Sequence, residues 1–289
     1  FQEVEQMNLF KDMVCYQEEV RDPSRMAEVL NRVIEKAIRG SAPAQINVPR
    51  DYWTQVIDIE LPPIVRFERQ GGGKDAIQRA AKMLSDAKFP VILSGAGVVI
   101  GDAINECKAL AEKLDAPVCN GYQHNDSFPG SHPLAVGPLG YNGSKAAMQL
   151  ISKADVVLAL GTRLNPFSTL PGYGIDYWPK NANIIQVDMN PDRIGLTKKV
   201  TVGIAGDAKQ VAKQIFDKLS SNAGDSGRED RKNLIHQTKS AWLQTLTSLD
   251  HEDDDPGTVW NKEARERDKD RMSPRQAWRA IQAAMPEDA

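Results

Sequence analysis

The residues best placed to do chemistry lie in four short loops, each following an apolar run. Gly95, Ala96 and Gly97, with Gly101 nearby, follow Pro90-Val91-Ile92-Leu93. Such a glycine loop lets a phosphate or nucleotide approach the backbone, and it serves tight packing equally well. Gly161-Thr162-Arg163 follows Val156-Val157-Leu158-Ala159-Leu160, and the Arg163 guanidinium suits a diphosphate or a surface salt bridge. Asp188 ends the run Ile184-Ile185-Gln186-Val187, where a carboxylate takes a ribose hydroxyl or caps the turn at Pro191-Asp192-Arg193. Asp207, after Gly206, reads most simply as the N-cap of a helix. The stretch 120–143 reads as one long loop carrying Gly140, His124 and His132. Two histidines without a third ligand make no metal site, so none is expected. No P-loop, GxSxG, HExxH or Cys–His signature occurs.

These loops need elements to hold them. Residues 22–40 predict a helix, with Asp22 as N-cap, Pro23 at the first position and Gly40 as the stop. Met26, Val29, Leu30, Val33, Ile34 and Ala37 give it one apolar face. Ala44-Gln45-Ile46-Asn47-Val48 then alternates like a strand, the end of a unit begun before Phe1. Residues 51–73, with Pro62-Pro63 and Gly71-Gly72-Gly73, have the composition of a linker. From 74 to 220, amphipathic helices (75–86, 102–114, 144–153 and one carrying Val211, Ala212, Ile215 and Phe216) alternate with short apolar runs. That pattern predicts an α/β domain, Rossmann-like in the broad sense: a parallel sheet with helices on both faces. Its ligands belong at the carboxyl ends of the strands. Residues 221–272 read as a charged connection with one helix through Ile235, Trp242 and Leu246. A last helix, 273–289, carries Trp278, Ile281 and Met285.

The 289 residues carry 36 Lys and Arg against 39 Asp and Glu, a net charge of −3 that supplies no basic field for nucleic acid. No apolar run is long enough to span a membrane. Three cysteines in no paired spacing point to a reducing, cytoplasmic setting.

Taken together, Phe1-Gln2-Glu3, Ile46-Asn47-Val48-Pro49-Arg50-Asp51, Ser127-Phe128-Pro129-Gly130-Ser131-His132-Pro133-Leu134, Gly161-Thr162-Arg163 and Gly206-Asp207-Ala208-Lys209 occur in order. The series resembles the acetolactate-synthase-like thiamine-diphosphate enzymes across almost the whole chain. The resemblance implies that residues 1–50 end a pyrimidine-binding domain, 74–220 form the central domain, and 273–289 begin a diphosphate-binding domain. It implies a fragment, with the cofactor-activating glutamate before Phe1 and the Gly-Asp-Gly magnesium motif after Ala289. Phe1 and Gln2 fall on the Phe-Gln that lines the cofactor cleft, and Gln2 and Arg50 are its implied catalytic positions. Arg50 stands where these enzymes often have a substrate-reaching Lys, and it suits a sulfonate or phosphate; the alternative is a strand-end Arg paired with Asp51.

Within the family, Gly161–Gly174 and Ile194–Val200 resemble members acting on sulfoacetaldehyde and phosphate, with thiamine diphosphate and Mg2+, as homodimers or homotetramers. Acetolactate synthases place an acidic pair and then an FAD-holding Arg after the Gly-x-Arg. Asn165, Pro166 and Phe167 stand here instead, so FAD is not expected. Gly95, Gly97, Gly140, Arg163, Asp188 and Asp207 then form an inherited nucleotide pocket, empty or repurposed. The alternatives are an acetolactate synthase catalytic chain and a stand-alone nucleotide-binding module. Residues 161–174 speak against the first, and the unpartnered helix with Trp278 against the second.

Overall fold

A computed structural model describes residues 3–63, 68–248 and 274–285. The chain divides into two compact units, Phe1–Glu68 and Arg69–Ala289, with the division inside the expected linker.

In the first unit, a short helix α1 (Gln6–Phe10) precedes strand β1 (Tyr16–Glu19), helix α2 (Met26–Gly40) and strand β2 (Ala44–Asn47). β1 and β2 pair in parallel. Asp22 caps as predicted: its carboxylate accepts the Ser24 N–H at 2.9 Å, and Pro23 opens the 3-10 turn that leads into α2. The stop is shifted by one residue. Ser41, not Gly40, takes the left-handed C-cap conformation. Gly40 is small for another reason, since a Cβ there would stand 3.1 Å from Cys15 Sγ. Only part of the predicted apolar face is covered. Val29 and Val33 pack with Val20 in a small core, whereas Leu30 and Ile34 remain exposed. Strand β1 was not predicted; Tyr16-Gln17-Glu18-Glu19 has no apolar alternation and is held by its pairing with β2.

The second unit contains α3 (Lys74–Asp86), β3 (Pro90–Ser94), α4 (Ala96–Ile100), α5 (Ile104–Leu114), β4 (Val118–Asn120), β5 (Ala135–Pro138), α6 (Lys145–Ile151), β6 (Val156–Leu160), β7 (Asn183–Asp188), β8 (Val202–Ala205), α7 (Ala208–Lys218), α8 (Arg228–Ser248) and α9 (Pro274–Ala284). Six strands form one sheet in the order β5-β4-β3-β6-β7-β8, every neighbouring pair parallel. β3 and β6 are buried along their whole length. This is why they read as continuous apolar runs and not as alternating ones. The chain moves from β3 outward to β5, then returns past β3 to β6, so the order reverses between β3 and β6. Ligand crevices of open α/β sheets form at such a reversal.

Two expectations are corrected here. The stretch 120–143 is not all loop, because Ala135–Pro138 forms edge strand β5 against β4. Gly137 and Pro138 disguise it, yet Pro is tolerated at an edge where one side needs no donor. The helix predicted at 102–114 begins at Ile104, and the short α4 precedes it. Between them Gly101 and Asp102 turn the chain, Asp102 with φ +52°.

Helix α8 is fastened to this unit by a side chain that composition alone placed in a solvated connection. Arg231 is 1% exposed. Its five donor bonds all end on backbone carbonyls: Nε on Asp115 (2.9 Å), Nη1 on Lys88 (2.7 Å) and Ser226 (2.8 Å), and Nη2 on Leu114 (2.9 Å) and Gly224 (2.6 Å). A guanidinium offers five N–H donors, so none is left unsatisfied. Expected helix residues beyond Ser248, with residues 249–273, lie outside the described residues.

Candidate functional site

The predicted loops meet at the carboxyl edge of the sheet. At the reversal point, Gly95 N–H donates to the Leu160 carbonyl at 3.1 Å and Gly97 N–H to the Gly161 carbonyl at 2.8 Å. A Cβ on Gly95 would lie 2.6 Å from Thr162 Cβ, and one on Gly97 2.6 Å from Gly161 Cα. The glycines therefore let two loops pack backbone on backbone, the packing alternative open in the sequence. The same contact fills the space a phosphate would need against those N–H groups. Gly140, with φ +83°, lies against the Phe167–Ser168 backbone, and Tyr141 N–H donates to the Phe167 carbonyl at 2.9 Å.

Asp188 and Asp207 are both engaged. The Asp188 carboxylate accepts the Asn190 N–H at 2.9 Å. Asp207 is the N-cap of α7, accepting the Lys209 and Gln210 N–H groups at 3.1 Å each, as predicted. Its second oxygen meets Arg69 Nη1 at 3.2 Å, and Arg69 also donates to the Gly101 carbonyl at 2.6 Å.

Arg163 differs from the rest. It is exposed and has no hydrogen-bond or ion-pair partner among the described residues. The residue after it, Leu164, is fully buried and held at φ +54°. That conformation costs a non-glycine residue roughly 1–2 kcal/mol. Two threonines stabilise it: Leu164 N–H donates to Thr162 Oγ1 at 3.2 Å, and Thr197 Oγ1 donates to the Leu164 carbonyl at 2.7 Å. The clamp turns Arg163 outward at the reversal point.

The residue that joins these loops was overlooked. Gln186, buried in β7, donates to the Thr162 carbonyl at 3.1 Å and the Arg193 carbonyl at 3.2 Å, and accepts the Gly195 N–H at 2.9 Å. The visible signal was an amide inside an otherwise apolar strand; a buried polar group needs partners. Likewise Asn120 Nδ2 donates to Ser127 Oγ at 2.9 Å, and Ser94 Oγ to the Ser127 carbonyl at 3.0 Å, fixing the 124–128 turn to β3 and β4.

In the first unit, Arg50 opens a 3-10 turn, Arg50–Thr54, and is exposed. It makes no ion pair with Asp51 or any other described residue, so the paired alternative is not what the structure shows. Phe1 and Gln2 lie outside the described residues. His132 accepts the Leu134 N–H at Nδ1 (3.2 Å) and has Nε2 3.2 Å from Glu112 Oε1, a structural role. Among the described residues no group of three His, Cys, Asp or Glu could hold a metal ion. These residues do not by themselves fit a magnesium diphosphate.

The six-stranded parallel sheet and its edge loops define the class. The family model described as thiamine pyrophosphate enzyme, central domain, matches residues 77–215. The fold is shared with benzoylformate decarboxylase from Polynucleobacter necessarius, at TM-score 0.65 and 23% identity over 78% of this chain and 42% of that one. Residues 77–215 thus match the central domain of the thiamine-pyrophosphate enzyme family. The whole chain is 78% identical to the probable sulfoacetaldehyde acetyltransferase of Rhizobium meliloti, covering 49% of it, and 74% identical to the sulfoacetaldehyde acetyltransferase of Roseovarius nubinhibens, covering 48%. The probable acetolactate synthase large subunit of Methanocaldococcus jannaschii is 34% identical over 86% of this chain and 41% of its own length. The chain spans about half the length of the curated relatives it matches.

Proposed function

We propose that the full-length protein converts sulfoacetaldehyde and phosphate to acetyl phosphate and sulfite, as a cytoplasmic thiamine-diphosphate and Mg2+ enzyme of sulfonate and taurine breakdown, assembled as a homodimer or homotetramer. The observation that carries this reading is the identity of 74–78% along the whole chain to proteins bearing that activity in their names. The C–S bond breaks with its electrons leaving on sulfite. The former sulfonate carbon becomes a methyl group as the aldehyde carbon rises to the acyl level, so no outside oxidant is needed. Thiamine diphosphate, when bound, supplies the electron sink. In this reading Arg50 offers a free guanidinium to a sulfonate or phosphate, geometry a lysine does not match, and Gln2 belongs to the cleft edge. Asn165-Pro166-Phe167, with Phe167 exposed, puts an apolar ring where an FAD-holding cation would stand.

The test is sulfite release from sulfoacetaldehyde by the full-length protein with phosphate, thiamine diphosphate and Mg2+. Phosphate-dependent sulfite and acetyl phosphate in equal amounts are expected. Acetolactate from pyruvate, with no sulfite, overturns the proposal and favours the acetolactate synthase reading.

A further inference from the structure

Helix α8 and strand β5 border a half-open cavity of about 680 Å3. Its volume falls within the roughly 300–1,000 Å3 of small-molecule sites. Leu134, Val136, Ile235, Trp242 and Leu246 make its walls mainly apolar. Two lysines line it, Lys232 and Lys239, and Lys232 lies 3.8 Å from the Asp115 carboxylate. Lys239 is half-buried, and its ammonium donates to the Pro133 carbonyl at 2.7 Å and the His132 carbonyl at 3.3 Å. An ammonium has three donors, so one remains. No carboxylate pairs with it among the described residues. The two acids of the cavity have other partners than Lys239: Glu112 has His132 at 3.2 Å and Lys108 at 3.8 Å, and Asp115 has Arg228 at 2.6 Å and Lys232 at 3.8 Å.

We propose that this cavity is a binding site for an organic anion with an apolar body, an aryl or acyl carboxylate or sulfonate, whose acidic head pairs with Lys239. The apolar walls take the body, and the free donor of Lys239 takes the head. Burial already pulls the Lys239 ammonium below the usual lysine range, and an anion at this point relieves that cost. The site is independent of the proposed reaction and stands or falls separately from it.

The probe is naphthalene-2-carboxylate, titrated calorimetrically into the full-length protein, with the uncharged naphthalene-2-carboxamide as its isosteric control. Saturable one-site binding of the carboxylate is expected, with the amide weaker by roughly tenfold or more, the worth of one charge-assisted hydrogen bond. Lys239→Met should lower carboxylate affinity to that of the amide. Ser240→Trp, which fills the cavity from a position lining it, should abolish binding of both. Absence of saturable binding overturns the proposal. So does equal affinity for the two probes, or tight carboxylate binding that survives both substitutions.

Discussion

The backbone N–H of Gly97 donates to the carbonyl of Gly161 at 2.8 Å, joining the loops that follow β3 and β6 where the strand order reverses. Because a Cβ on Gly97 would meet Gly161 Cα at 2.6 Å, Gly97→Ala must push two backbones apart. It should destabilise the second unit by about 1–3 kcal/mol, the usual cost of overpacking. Gly130→Ala, whose Cβ would meet nothing within 4 Å, should stay within about 0.5 kcal/mol of the parent. Urea unfolding of both variants checks this, and unchanged stability of the Gly97 variant would mean the loops are not held by their packing.

Arg231 should be among the costliest residues to replace. Arg231→Met leaves five carbonyls without their donor, a loss of about 3 kcal/mol or more. Arg231→Lys, with fewer donors and no planar fork, should recover little of it. Hydrogen exchange along α8 should accelerate in both, and protection equal to the parent would contradict the anchoring role.

Glu18 sets a pH dependence in the first unit. Bidentate bonds from Arg32 (2.7 and 2.8 Å), then the Tyr16 hydroxyl (2.7 Å), hold its carboxyl at about 2, below the ordinary 4.5. A carboxylate whose folded value is depressed contributes stability above its unfolded value and loses it as pH falls. The contribution should therefore be whole above about pH 4.5 and disappear toward pH 2. Carboxyl-carbon NMR should show Glu18 titrating well below the ordinary glutamate range, together with Glu28, whose carboxyl Arg25 and Arg32 hold equally low. Glu18→Gln should flatten the acid limb of the unfolding curve.

Arg50 should act on substrate and not on the fold. Having no partner among the described residues, Arg50→Ala should change stability by no more than about 0.5 kcal/mol. In the full-length protein it should raise KM for sulfoacetaldehyde or phosphate roughly tenfold, the worth of a charge-assisted hydrogen bond. Arg50→Lys should recover part of that loss. Initial-rate kinetics with each substrate varied in turn decide it; unchanged KM for both leaves Arg50 a surface residue.

The features legible in the sequence were those that neighbours along the chain create. Asp22 and Asp207 cap because their carboxylates reach N–H groups two or three residues ahead. β3 and β6 were readable because burial on both faces demands an unbroken apolar run. The resemblance to thiamine-diphosphate enzymes rested on loop motifs, and loop composition is local too.

Only the tertiary structure decided what distant segments do to one another. β1 and β5 exist through their pairing with β2 and β4, not through their own propensities. Gly95 and Gly97, candidates for phosphate contact, proved to make room for another loop. Arg231, one more charge in a charged stretch, became the anchor of α8, and Gln186 the tie between two loops. A side chain's type is written in the sequence, but its partners lie up to 143 residues away. Which partners it finds depends on the fold that brings them within hydrogen-bond reach.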